Sequence, residues 1–295
     1  MILEKQKIRA GLIFSGMLLF LSGGWGNAGD AIPYRHRPAL PLDTGWAFDP
    51  YWKNPRVERS IYEIDAAGKE GRVTHLLEAE WTDARHLVKP QDLEQTGHTP
   101  SGEAFHSMEF HALYEFPRKF ATYAAFLEVL FDRHTMAPVK WQYAFHDTCG
   151  VIYKTIRGNT RTLEVDSYWE GRFQHPIASL EGVWFSDGLP VALRALPLAP
   201  GFRAEVQLLL NERGKPTPPP TIVPARIVVG KPERVSVPAG TFSALLVSVV
   251  AEGFEGHFWF DPDGVRPLVR FEIVQGGVRT KYILEKRDII DYTQP

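Results

Sequence analysis

The sequence has almost no cysteine, since Cys149 is the only one in 295 residues. One cysteine cannot form a disulfide within the chain, so the packed core has to supply the stability of the fold. The chain also has little net charge, because 33 basic residues stand against 35 acidic ones. This balance gives no basic surface for nucleic acid, and we expect no nucleic-acid partner.

Signature motifs of several enzyme classes are missing as well. The sequence contains no GxSxG nucleophile elbow, no glycine-rich phosphate loop and no CxxC pair. Nucleophile-elbow hydrolases, P-loop enzymes and thiol oxidoreductases depend on these motifs. We therefore favour a non-enzymatic protein and predict no cofactor.

The one sustained apolar run, at residues 10–22, is too short for a membrane-spanning helix, which takes about 20 residues. Lys5, Lys7 and Arg9 precede this run and small residues lead from it to Ala28, a pattern typical of a secretory signal peptide. We predict cleavage after Ala28 and no transmembrane segment in the remaining chain. The protein is then expected in the periplasm of a Gram-negative envelope, or secreted.

Glycine and proline are plentiful, with 25 and 23 residues, which disfavours a helical bundle. Short segments rich in β-branched and aromatic residues recur between 57 and 170 and again between 222 and 287. Polar and apolar residues alternate in many of them, which is the strand period. The predicted fold class is mainly β, with a large curved antiparallel sheet or half-barrel and one or two short helices.

Two segments and two turns allow more specific predictions of secondary structure. The pattern at 120–131 fits a helix and a buried strand equally well, whereas 176–196 indicates two short helices that are broken at Asp187-Gly188. Tight turns are predicted where proline, aspartate and glycine coincide. The residues that mark these turns are Pro238, Gly240, Asp261 and Gly264.

The chain divides by composition into five parts. We predict a signal peptide at 1–28, an irregular proline-rich arm at 29–56, an N-terminal β-sheet region at 57–175, a helical connection with a strand at 176–216, and a C-terminal antiparallel β meander at 217–295.

Two parts of the sequence are similar to known families. The region from about 182 to 287, with ALRALPLAPG, VPAGTF, HFWFDPDG and KYILEK, resembles the exported bacterial family called domain of unknown function 3108. The region from Tyr51 to Trp169, with KEGRVTHLLEAEW and HDTCGVIYKTIR, more weakly resembles uncharacterised exported proteins labelled septum formation inhibitor. Both resemblances imply an extended, curved antiparallel sheet and an unknown activity.

A short polar motif and a set of aromatic residues are the candidate sites. His146, Asp147 and Cys149 place a base, an acid and a thiol beside a glycine, the residue types of a cysteine nucleophile, although a hairpin turn explains them too. An aromatic concave face would form an apolar ligand site, although core packing explains such residues as well. The aromatic candidates are Trp141, Tyr143, Phe145, Tyr153, Tyr168 and Trp169.

The histidines do not predict a metal site. Seven of them fall between 75 and 146, but none has the spacing of two ligands on one helix face. His106 and His111 are five residues apart, which places them on opposite faces of a strand. His75 and His86, on neighbouring strands, could still meet across a hairpin. We therefore predict no metal.

Three functions remain open from the sequence. The first is an envelope protein that binds a lipid or other apolar ligand, or an outer-membrane protein partner. The second is a hydrolase or thiol-dependent enzyme centred on His146 and Cys149. The third is a structural or assembly subunit that pairs through a sheet edge.

Overall fold

The computed structural model describes residues 40–52, 56–117, 122–147, 150–158, 160–211 and 219–291. Within them the protein is mainly β, with one large open sheet of 15 strands and only two short helices, which confirms the predicted fold class. The helices are α1 (Pro90–Gln95) and α2 (Leu189–Ala192). The predicted signal peptide, its cleavage site at Ala28 and Cys149 lie outside the described residues.

Eight strands form a first meander. They are β1 (Arg56–Ala66), β2 (Lys69–Asp83), β3 (Ala104–Pro117), β4 (Thr122–Asp132), β5 (Pro138–Asp147), β6 (Gly150–Arg157), β7 (Thr162–Ser167) and β8 (Gly171–Pro176). Seven strands form the remainder. They are β9 (Val183–Phe185), β10 (Arg203–Leu210), β11 (Thr221–Val237), β12 (Gly240–Ala251), β13 (Phe254–Phe260), β14 (Leu268–Gln275) and β15 (Val278–Asp291).

The first and last strands join the two halves into one sheet. The strand order is β8-β7-β6-β5-β4-β3-β2-β1-β15-β14-β13-β12-β11-β10-β9. Strand β1 pairs with β15 from Arg56 opposite Asp291 to Ala66 opposite Thr280. All neighbouring pairs are antiparallel except β9 and β10, which are parallel. Each half therefore depends on the other for a partner of the strand at its edge, β1 or β15.

The ambiguous segment at 120–131 is a strand where it is described. Leu127, Val129 and Phe131 are buried on one face of β4, and Leu130 is buried on the other. The second face is covered because Leu130 packs with Leu87, from the loop that follows β2. Burial on both faces explains why the strand lacks a polar–apolar alternation.

The prediction of two helices within 176–196 is wrong for the first part of that segment. Residues Val183–Phe185 form β9, because their aromatic and β-branched side chains pair with β10. The helical part is one continuous run of short turns over 186–195, in which Asp187-Gly188 belongs to the first turn and Pro190 to α2. Every residue from 183 to 196 is buried.

The sheet curls, so one face becomes an interior. We call this side, to which Tyr62, Phe110 and Phe271 point, the inner face. The rings of His75 on β2 and Phe271 on β14 lie 5.7 Å apart, although two strands separate β2 from β14. Trp141 on β5 donates its Nε1–H to Asp187 Oδ2 at 2.8 Å, which brings the residues after the edge strand β9 onto the middle of the first meander.

Two segments, which we call the plug, fill the inner face near one end of the strands. The plug consists of 40–52 and 186–196, and Asp43 N donates to Ala195 O at 2.7 Å between them. Trp46 and Trp52 of the plug are buried, with their rings 5.9 Å apart. Arg133, in the loop that follows β4, also contacts the plug, because its Nε donates a hydrogen bond to the carbonyl of Ala47 at 2.7 Å.

The turn residues lie between strands. Pro238 sits in the two-residue connection before Gly240, where β12 begins, and Val237 pairs with Gly240. Asp261 and Gly264 belong to the longer connection between β13 and β14, in which Asp263 N donates to Asp261 Oδ1. Gly264 has a φ of 57°, a left-handed conformation that glycine adopts at little cost.

Candidate functional site

An apolar pocket of about 140 Å³ opens on the inner face, near the turn that joins β1 to β2. Five strands contribute to it, four from the first meander and β15 from the second. Aromatic rings and small side chains dominate its wall. The lining residues are Ala66, Tyr114, Phe116, Tyr123, Ala124, Ala125, Tyr143, Phe145, Thr280 and Tyr282.

The register of the strands explains why there is space here. Ala125 on β4 lies directly between Tyr114 on β3 and Phe145 on β5. Side chains in such a row point to the same face, so a small residue between two large ones leaves a gap that their rings border. Tyr123 stacks on Phe145 with the ring centroids 6.1 Å apart and closes one side of the gap.

A cleft of about 760 Å³ lies near the same β1–β2 turn. Glu63, Arg72 and Glu115 in its wall lie opposite one another on β1, β2 and β3, one position away from the inner-face residues Ile64 and Phe116, so their side chains point to the outer face of the sheet, away from the pocket. Gly71 lines the cleft and packs against Phe116 of the pocket, since a Cβ at this position would lie 2.6 Å from Cδ1 of Phe116. Carboxylates outnumber the cations that line the cleft. Its charged residues are Glu63, Asp65, Glu70, Arg72 and Glu115.

The structure separates the aromatic residues that the sequence grouped together. Trp141, Tyr143 and Phe145 share the inner face, and the last two line the pocket. Tyr153 is on the opposite face, because it pairs with Ala144 on β5. Two further candidates, Tyr168 and Trp169, lie at the turn after β7, where 75% and 48% of their surfaces are exposed.

The motif from His146 to Cys149, on which the hypothesis of a thiol-dependent enzyme rests, lies only partly within the described residues. His146 is the penultimate residue of β5 and is exposed. Its strand neighbours place it on the face opposite to Phe145, away from the pocket. The side chain of Asp147 and the whole of Cys149 lie outside the described residues.

Buried ion pairs anchor the plug to the sheet. Glu58 on β1 accepts hydrogen bonds from Arg194 of the plug at 2.8 Å and from Arg287 on β15 at 2.9 Å. Arg287 also donates to Tyr51 Oη at 3.0 Å. Burial by itself raises the pKa of the Glu58 carboxyl, but the two guanidinium groups outweigh that effect and hold the pKa below its usual value. Partial burial, with the Glu58 charge, raises the pKa of Tyr51 to about 12.

This cluster predicts a specific loss of stability in acid. A lowered carboxyl pKa contributes stability above the pKa of the unfolded chain, which is 4.5 for Glu58, and this stability disappears as the pH falls through the folded-state value. We expect the difference in unfolding free energy between wild type and Glu58→Gln to be largest near about pH 7 and to shrink toward about pH 3. Urea unfolding across this range measures it. A difference that stayed constant with pH would contradict the ionised state of Glu58.

A group of carboxylates with one imidazole was missed in the sequence. Glu109 and His111 on β3 lie beside Glu128 on β4, on the outer face of the sheet. Glu80 on β2 is close by, and burial together with the charges of Glu109 and Glu78 raises its pKa to about 10. The residues come from three strands, and only the strand register, which the sequence did not give, brings them together.

His75 and His86 do not contact each other across a hairpin, as the sequence had allowed. His75 faces the core, with its ring 4.8 Å from that of Tyr62 and 4.9 Å from that of Phe110. His86 lies in the loop after β2, where its Nδ1 is 2.8 Å from Asp83 Oδ1.

These residues define a mainly β protein with an open, curled antiparallel sheet, a plugged interior and a small apolar pocket. No family model and no curated protein matches the sequence, so neither family resemblance is confirmed. A β-barrel-like protein of domain of unknown function DUF1849 from Brucella abortus is similar in structure, at 12% identity and a TM-score of 0.47, over 80% of this chain and 98% of that one.

A second solved structure is described as an exported protein with a YmcC-like fold, from Bacteroides fragilis. It is 11% identical, with a TM-score of 0.19, and the match covers 79% of this chain and 94% of that one. At these identities and scores neither structure assigns a function. Among the described residues, no helix has the length and apolar character needed to cross a membrane.

Proposed function

We propose that this protein is a non-enzymatic binding protein for an apolar molecule, which it holds in the inner-face pocket. The observation that carries the proposal is the gap at Ala125 between the rings of Tyr114 and Phe145. An apolar group placed there loses its contact with water, which contributes about 0.8 kcal/mol per buried methylene group. The pocket contacts aromatic surface on several sides, the typical lining of a ligand site.

The volume limits what the pocket holds. At about 140 Å³ it is below the roughly 300–1,000 Å³ of sites that enclose whole drug-sized ligands. It is close to the roughly 150 Å³ of an engineered apolar cavity that takes one benzene molecule. The ligand therefore inserts one ring or the end of an acyl chain, and its remainder lies outside the pocket.

Filling the pocket tests this proposal. We expect Ala125→Phe to reduce binding of 1-decanol at least about tenfold, because the added ring occupies a space that fits one ring. Isothermal titration calorimetry measures the affinity of wild type and variant.

The matched control is Ala144→Phe, the same change on the neighbouring strand β5. Ala144 pairs with Phe126 and Tyr153 and therefore faces the opposite side of the sheet from Tyr143. This variant is expected to bind 1-decanol like wild type. Equal affinities for all three proteins, or no binding by wild type, would refute the proposed site.

A further inference from the structure

Side chains of metal-ligating types lie close together on the outer face of β2, β3 and β4, both along one strand and across neighbouring strands. Glu109 and His111 are two residues apart on β3 and so point to the same side. Glu128 on β4 lies directly opposite His111, and Glu78 on β2 lies directly opposite Glu109. One potential ligand atom each from Glu109, His111 and Glu128 lies within 4.8 Å of the others.

The group is shielded from solvent. The side chains of Glu128, Glu109 and His111 are only 9%, 17% and 19% exposed. The loop after β2 packs nearby, since Lys140, which contacts Glu128, also donates to the carbonyl of Leu87 at 3.4 Å. Attraction between a cation and its ligands is stronger here than at an open surface, because water screens it less.

The charges around the group do not balance. Two ammonium groups are present, Lys140 at 2.7 Å from Glu128 and Lys89 at 2.5 Å from Glu80. Four carboxyl groups surround them, but Glu80 keeps its proton at neutral pH because burial and the charges of Glu109 and Glu78 raise its pKa to about 10, so the excess with neutral histidine is one negative charge. The carboxyl groups are those of Glu78, Glu80, Glu109 and Glu128.

We propose that Glu109, His111 and Glu128 bind one divalent metal ion of the Zn²⁺ type. An imidazole with two carboxylates is a ligand set that suits Zn²⁺, whereas Ca²⁺ and Mg²⁺ prefer oxygen ligands alone. The two positive charges of one such ion offset this excess and attract the carboxylates of Glu109 and Glu128. The ion links β3 to β4, and Glu128 keeps its contact with Lys140 through one oxygen while the other binds the metal.

The neighbouring trio of Glu78, Glu80 and Glu109 does not compete as the primary site. Lys89 lies 2.5 Å from Glu80 and 3.7 Å from Glu78, so an ammonium group already occupies the space among these carboxylates. The trio also has no nitrogen ligand. Its negative charge strengthens the attraction of a cation to Glu109, which both groups share.

Zinc titration of the chelator-treated protein tests the proposal. We expect wild type to bind one Zn²⁺ in isothermal titration calorimetry, more tightly than Mn²⁺ or Ca²⁺, and to unfold at a higher temperature with Zn²⁺ present. Loss of a partner that only orients a ligand costs about 10–100-fold in metal affinity. Loss of the ligand itself, in His111→Ala, should therefore weaken binding by at least about 100-fold.

His257 provides the matched control. It is two residues after Glu255, with Nε2 2.8 Å from Glu255 Oε1, the same arrangement as Glu109 and His111. Among the described residues this pair belongs to no group of three potential ligands. His257→Ala is expected to bind Zn²⁺ like wild type.

The variants also separate a specific site from surface binding. If His111→Ala does not fold, judged by its melting temperature without metal, Glu128→Gln gives the second test, because it keeps the shape of the side chain and removes one ligand. The proposal is overturned if wild type binds no Zn²⁺, if the variants at 111 and 128 bind as well as wild type, or if His257→Ala loses as much affinity as His111→Ala.

Discussion

Glu58→Gln is expected to lower the free energy of unfolding at neutral pH by about 3–5 kcal/mol. The substitution keeps the size of the side chain but removes the negative charge between Arg194 and Arg287. Arg194 is 4% exposed, so its guanidinium would remain in the interior without its counter-charge. Breaking one side of a buried ion pair is costly because the remaining charge has lost both water and partner.

The plug gives this change a wider effect. Arg194 belongs to the buried run after β9, and its backbone carbonyl accepts a hydrogen bond from Arg266. A weakened contact between Glu58 and Arg194 therefore loosens the plug from β1. We expect the variant to show faster amide hydrogen exchange in residues 189–196 than wild type, beyond the change in global stability.

Asp288→Asn is the matched control for the buried charge. Asp288 on β15 accepts a hydrogen bond from Arg59 on β1, so it joins the same two strands, but 27% of its side chain and 35% of that of Arg59 are exposed. Exposed ion pairs contribute about 0.2–1 kcal/mol. Chemical denaturation of both variants measures the contrast, and equal losses would contradict the importance of burial at Glu58.

Phe271→Ala is expected to cost about 3–5 kcal/mol, the usual range for a phenylalanine removed from a packed core. Phe271 is 2% exposed and lies where the two halves of the sheet meet. Its ring stacks on Tyr282 with the centroids 4.0 Å apart and meets Tyr62 edge-on at 5.4 Å. The substitution therefore leaves a cavity that several rings border and cannot easily refill.

Val250→Ala gives the comparison for Phe271. Val250 lies on β12 in the same half of the sheet, but it is 52% exposed, so its truncation is expected to change stability by no more than about 0.5 kcal/mol. Urea midpoints and m-values of both variants give the result. A loss below about 1 kcal/mol for Phe271→Ala would mean that the junction of the two halves is not a packed core.

The fold class followed from the sequence because strand periodicity is local. Alternation in segments such as Thr162–Ser167 is a property of consecutive residues, and this segment is β7. At 183–185 the local pattern was less informative, since three apolar residues fit a buried helix or a buried strand equally well. The parallel partner β10 decides for a strand, and it lies about twenty residues further along the chain.

The candidate sites depended on register, which is a long-range property. Tyr143 and Phe145 could be predicted to share a face, because they lie two positions apart on one strand. The gap at Ala125 could not be predicted, since it requires Tyr114, Ala125 and Phe145 to align across three strands. The same holds for the pairing of His111 with Glu128, which lie 17 residues apart.

Native mass spectrometry of the protein purified from a bacterial envelope, before and after extraction with organic solvent, is the first experiment we would perform. If the inner-face pocket holds an apolar ligand, wild type carries an additional mass that solvent releases, and Ala125→Phe carries none. If wild type has the mass of the bare chain, or if both proteins carry the same additional mass, the pocket is not the ligand site and the proposed function is wrong.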